Sequence, residues 1–246
     1  MVSRWLPYPR FAASTAQPAE SAQAASPGGG WPARRLALAG LLLLACAAAA
    51  VLADLPLARA VKEHRLPGEF QRLVRLAETF AWGGTVGLII LTAALLDCRG
   101  GRVALPLALC AYGAGLLADS LKWVAARQRP SVADLSAGAG QTFAAWFPLA
   151  AGLDDYGYRL QSFPSGHAAT AAGLAAALAV LYPRGRWLFV LFAALACWQR
   201  IDARAHFASD VLTGAAIGCL VAAAVARSQM AARNARVSES SQASSL

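Results

Sequence analysis

Charge is scarce in this chain: 14% of its 246 residues are Asp, Glu, Lys or Arg, against 58% hydrophobic, and the mean hydropathy is +0.48. A soluble helical bundle spreads its charged residues along each helix at a 3.6-residue period. Here the charges cluster between long uncharged runs, which argues against a soluble domain and reads as a polytopic membrane protein. Histidine is scarcer still, at three residues. The five cysteines, Cys46, Cys98, Cys110, Cys197 and Cys219, show no CxxC or metal-ligand spacing, and most fall inside apolar runs as small buried side chains. A CX5R loop is missing too, because six residues separate Cys197 from Arg204, and no metal-carboxylate cluster stands out. The net charge of +9 comes from arginines scattered through loops without interleaved aromatics, which argues against nucleic acid as a partner.

What the chain does have is six apolar runs, at about residues 36–53, 79–96, 103–118, 168–182, 187–198 and 211–226. Roughly 18 or more uncharged residues are needed to cross a hydrocarbon core. The shorter runs reach that length when the third extends through Lys122, the fifth to Arg200 and the sixth back to His206. The predicted fold is therefore all-α, a six-transmembrane-helix bundle over residues 36–226. It is flanked by unstructured tails at 1–35, rich in Ala, Ser, Pro and Gly, and at 227–246. Because the first run follows a long polar stretch, it reads as a permanent span and not as a cleaved signal. Phe70, Leu73, Val74 and Ala77 alternate with Gln71, Arg72, Arg75 and Glu78, the pattern of an interfacial helix. The connection 131–163 is too long to be idle, and its Trp146, Phe147, Tyr156 and Tyr158 suit a rim at the headgroup layer.

Three polar clusters stand at the ends of these runs, and with six crossings all three fall on one face. The first holds Lys122 and Arg129, seven residues apart, which would share a face if the third helix continues to Pro130. Arg127 lies off that face. The second, Pro164-Ser165-Gly166-His167, is a tight turn into the fourth run, with the Ser165, Gly166 and His167 amides near a helix N-terminus that attracts anions. The third holds Arg200, His206 and Asp210. On one helix Asp210 would accept a hydrogen bond from the His206 ring, leaving the other nitrogen as a nucleophile, while the planar fork of Arg200 suits a phosphoryl group. Each cluster also has a plain structural reading: snorkelling cations, an N-cap at Ser165, and a salt-linked pair.

Taken in order, Lys122 with six residues before Arg129-Pro130, then Pro164-Ser165-Gly166-His167, then Arg200 with five residues before His206 and three more before Asp210, resemble the type-2 phosphatidic acid phosphatase superfamily, whose relatives include the vanadium haloperoxidases. The resemblance covers residues 36–226. It implies that His206 attacks phosphorus to form a phosphohistidine oriented by Asp210, that His167 protonates the leaving oxygen, and that Lys122, Arg129, Arg200, Ser165 and Gly166 hold the phosphoryl oxygens. Fixed cations then stand in for a metal, so neither metal nor cofactor is expected. The chain departs from the pattern at Gln199, where serine usually precedes the arginine, and at Arg204, where a small residue is common. Local pairing of Arg204 with Asp202 is the expectation.

The implied function is a metal-independent membrane phosphatase whose partners are the bilayer and a lipid phosphate: phosphatidic acid, phosphatidylglycerol phosphate, undecaprenyl diphosphate or a lipid A phosphate. The implied location is a bacterial inner membrane with the site on the outer, periplasmic face. Lys plus Arg divide evenly between the faces, so the positive-inside rule gives this orientation little support. Two alternatives stay open: a phosphotransferase passing the group from His206 to a lipid or sugar, and a non-enzymatic transporter or scaffold. A soluble haloperoxidase fits poorly. His64, beside Glu63 and Arg65, matches no motif and reads as a solvated loop residue.

Overall fold

In the computed structural model, which describes residues 31–64, 67–136, 138–152 and 157–243, the central post is a helix made almost wholly of Ala, Gly and Leu. This helix, α6 (Gly166–Leu181), buries every residue from Ala168 to Leu178. Small side chains let backbones approach closely, the usual basis of helix packing in membranes. A β-carbon on Gly173 would stand 2.0 Å from the Cys110 carbonyl oxygen of α5 (Ala104–Leu121), and one on Gly214 of α8 (Ala208–Ala243) would stand 2.2 Å from that of Ser165. Around α6 pack α5, α8 and α7 (Arg186–Asp202), and α1 (Trp31–Ala50) lies along α8. A short 3-10 turn leads from α1 into α2 (Asp54–Glu63), and α3 (Gly68–Ala77) leads through another into α4 (Gly83–Leu96).

The six apolar runs correspond to α1, α4, α5, α6, α7 and α8. Three stretches are long and apolar enough to cross a membrane: 32–63, 100–121 and 208–242. A fourth qualifies if α3 and α4, bent by 68°, are taken as one span. At 16 and 17 residues, α6 and α7 are only about 24–26 Å long at 1.5 Å per residue; α7 runs through Arg200 to Asp202, as the sequence implies, whereas α6 starts at Gly166 directly after its Ser165 cap and α8 starts at Ala208, past His206. Leu38 and Leu42 of α1, Leu88 and Leu95 of α4 and Leu188 of α7 are exposed on the outside of the bundle. An apolar belt of that extent faces lipid, and the chain is a multi-pass membrane protein.

Three expectations need correction. The fold is not purely helical, because Ala125–Arg127 (β1) pairs antiparallel with Phe143–Trp146 (β2). α5 ends at Leu121, so Lys122 and Arg129 do not share a helix face; the chain turns into β1, and Pro130 disfavours helix at the residue before it. Beyond Arg227 the chain is an exposed continuation of α8 to Ala243 and not an irregular tail; its Ala, Arg, Gln and Glu residues favour helix. At the other end α1 begins at Trp31, and the rest of the expected N-terminal tail lies outside the described residues, as does Tyr156. α3 forms where the periodicity places it, with Val74 buried against the protein and Phe70, Leu73 and Leu76 exposed. The expected rim aromatics Trp146, Phe147 and Tyr158 are exposed.

Candidate active site

One cavity of about 380 Å³ brings together Lys122, Arg129, Gly166, His167, Arg200 and His206. Each side chain arrives from a different structural device. Lys122 is the C-cap residue of α5, and its ammonium lies 2.6 Å from Asp119 Oδ1 one turn back. Arg129 follows β1; its guanidinium stacks 3.6 Å from the Tyr158 ring and donates to the carbonyls of Tyr158, Ala205 and Gln161 at 2.8, 3.0 and 3.2 Å. Gly166 and His167 open α6, where by helix geometry the first amides have no intrahelical acceptor. Arg200 comes from the last turn of α7 and His206 from the turn before α8.

Ser165 and Asp210 stand behind the wall of this cavity. Ser165 is fully buried and caps α6, its hydroxyl accepting from the Ala168 amide at 3.4 Å while its own amide donates to the Asp210 carbonyl at 3.1 Å. That ties the Pro-Ser-Gly-His turn to the first turn of α8. Asp210 makes no direct bond to His206, contrary to the sequence expectation. Because α8 starts only at Ala208, the two residues are not stacked on one helix. The Ser162 carbonyl takes the place expected of the carboxylate, 2.6 Å from His206 Nδ1. A carbonyl accepts only from a protonated nitrogen, so this contact makes Nδ1 the donor and leaves Nε2 unprotonated in the neutral ring. Asp210 reaches His206 through Ser162, accepting the Ser162 hydroxyl at 2.6 Å and the Phe207 amide at 2.9 Å. His206 lies in a turn outside the spanning helices and is almost wholly buried; burial, then the charge of Arg129, push it well below the ordinary histidine value. The ring is neutral at pH 7.

The group that anchors this arrangement does not stand out in the sequence. Arg127, set aside as lying off the helix face, is completely buried between the rings of Phe143 and Phe207, 4.6 and 4.3 Å from their centroids. It ion-pairs with Asp210 and, at 2.7 Å, with Asp54, and donates to Ser209 Oγ at 2.7 Å and Thr142 Oγ1 at 3.1 Å. Asp54 also accepts from the Ser209 amide at 3.0 Å. Two buried carboxylates thus share one guanidinium, joining the start of α2 to β1 and α8. The available signal was position: Asp54 is the acid that ends the first apolar run.

Glu78 was also missed as a site residue. From the 3-10 turn between α3 and α4 it lies 2.7 Å from Arg200 Nη2 and 3.8 Å from His167 Nε2. Arg204 occupies a left-handed backbone position at φ 53°, and no pair with Asp202 forms among the described residues, because α7 ends between them. His64 is exposed, as expected, with its ring 3.3 Å from the Ala60 carbonyl.

Over 58 residues the chain is 43% identical to the lipid A 1-phosphatases of Rhizobium etli and Rhizobium johnstonii. The match takes in 24% of this chain and spans about a quarter of the length of those relatives. In fold it is similar to a transmembrane PAP2 type phosphatidylglycerolphosphate phosphatase from Bacillus subtilis, with a TM-score of 0.53 and 23% identity over 79% of this chain and 94% of that one. The PAP2 superfamily model matches residues 103–234, more than half of the chain and all three polar clusters, and the protein belongs to that superfamily.

Proposed function

We propose that this protein is a membrane phosphatase that hydrolyses a lipid phosphate or diphosphate without a bound metal. The observation that carries this reading is the convergence of three cations and two histidines on one cavity beside an apolar groove. That groove, about 1120 Å³, begins at Thr79 and Phe80, next to Glu78, and runs between α4, α6 and α7 as far as Asp97 and Arg99. A phosphate in the polar cavity and hydrocarbon chains along the groove or in the surrounding bilayer suit such a neighbour.

In the proposed reaction Nε2 of neutral His206 attacks phosphorus, held in orientation by the Ser162 carbonyl. As the N–P bond forms, the P–O bond to the lipid breaks, and His167 gives its proton to the departing oxygen. Water then attacks the phosphohistidine, passing a proton to His167 and releasing inorganic phosphate with His206 restored. Lys122, Arg129 and Arg200 balance the phosphoryl charge, together with the Gly166 amide. Asp210 acts at one remove, fixing Ser162 and Arg127. The site faces outward from a bacterial inner membrane, with six crossings that include the short α6 and α7.

The test is phosphate release in detergent without divalent metals, screened over phosphatidic acid, phosphatidylglycerol phosphate, undecaprenyl diphosphate and lipid A phosphates. Wild type releases phosphate from at least one class, and His206→Ala and His167→Ala lose about 10³-fold or more. Transfer to an acceptor with no phosphate freed would replace hydrolysis by phosphotransfer. Equal activity in the variants would end the reading altogether.

A further inference from the structure

A site that binds a phosphate dianion should exclude carboxylates, yet Glu78 covers one of its cations. Three contacts close a ring: Arg200 Nη2 donates to Glu78 Oε1 at 2.7 Å, Gln199 Nε2 donates to Glu78 Oε2 at 3.1 Å, and Arg200 Nε donates to Gln199 Oε1 at 2.5 Å. Gln199 is one of the two residues that depart from the superfamily pattern. Its buried amide bridges the arginine and the carboxylate at once, the oxygen accepting from one and the NH2 group donating to the other, across a longer reach than a serine hydroxyl has. The fork of Arg200 expected to hold phosphoryl oxygens is therefore engaged by a carboxylate of the same chain, on a short turn at the bend between α3 and α4.

We propose that Glu78, held by Gln199, is an intramolecular competitor of the phosphoryl group. It covers Arg200 in the empty site, gives it up to an incoming lipid phosphate, and takes it back as inorganic phosphate leaves. This rests on reading the cavity as a phosphoryl site. A tethered carboxylate weakens every anion's binding, because it must be displaced and then remains nearby as a like charge. A lipid phosphate tolerates that cost, since its chains keep it concentrated at the membrane rim. Free phosphate has no such help, so the residue lowers product retention and selects for phosphate carried on a lipid.

Equilibrium binding of orthovanadate and of inorganic phosphate to the full chain in detergent, measured by titration calorimetry, tests this without turnover. Glu78→Gln tightens both about fivefold, the factor that roughly 1 kcal/mol of a partly exposed ion pair represents. Gln199→Ser tightens them less, and the double variant matches Glu78→Gln, because both changes act through one contact. In turnover, phosphate becomes a stronger inhibitor of Glu78→Gln by the same factor. Unchanged or weaker binding in Glu78→Gln, or additive effects, overturns the proposal; if that variant does not fold, Gln199→Ser decides alone. A wild type that hydrolyses no lipid would refute the phosphatase reading, while the binding comparison would still decide the role of Glu78.

Discussion

His206 shows how a single residue's surroundings set its chemistry. Burial and Arg129 hold the ring's proton affinity well below that of an ordinary histidine, so the nucleophile stays neutral through pH 7. The acid limb of kcat/KM is therefore expected below the ordinary histidine value of about 6.5, and a limb at or above that value would contradict the burial argument. Stability follows with a definite sign. Below about pH 6.5 the unfolded ring takes up a proton that the folded ring refuses, so folding weakens as pH falls through that value. Thermal melting across this range is expected to show a larger loss in wild type than in His206→Ala. Arg127 provides the second residue-scale prediction. Replacing it by Met strands two buried carboxylates and costs about 3–5 kcal/mol, read as a large fall in unfolding midpoint in detergent. Asp54→Asn costs less, since the guanidinium keeps Asp210.

Among the elements, α6 and α8 fix the site by backbone contact. The Gly214 β-carbon position, 2.2 Å from the Ser165 carbonyl, leaves no room for a methyl group, and that carbonyl belongs to the turn carrying Gly166 and His167. Gly214→Ala is expected to push the turn off α8, lowering phosphate release at least tenfold, with some fall in melting temperature. Wild-type activity in this variant would show that the turn tolerates displacement. The helices themselves could be read in the chain because their apolar runs carry a strong signal, and α3 because Phe70, Leu73, Val74 and Ala77 recur at helical spacing. The cavity's cations and histidines were legible from motif order. The support beneath them was not. Arg127 lies in a three-residue strand too short to show periodicity, and Asp54 is 156 residues from Asp210, beyond any local pattern. The Ser162 carbonyl that displaces Asp210 from His206 is a backbone group, which residue identity cannot reveal.

For the whole molecule, the testable matter is orientation. Cys98 lies exposed at the far end of α4 from Glu78, while Ser131 lies exposed on the loop beyond Arg129. In a chain whose other cysteines are replaced by serine, Ser131→Cys is expected to react with a membrane-impermeant maleimide in intact cells, and Cys98 only after lysis. The reverse pattern would place the site on the inner face.

The Asp54–Arg127–Asp210 link also dictates an order of assembly. Asp54 enters the membrane with the first helix, but the Ser209 that shares it with Arg127 is 155 residues later. At about 5–20 residues per second that is roughly 8–30 s of synthesis. Throughout that interval an acid at the end of the first helix waits for its full set of partners, and a chain truncated before α8 never acquires them. Asp54 thus has its full set of partners only once α8 packs against the start of α2.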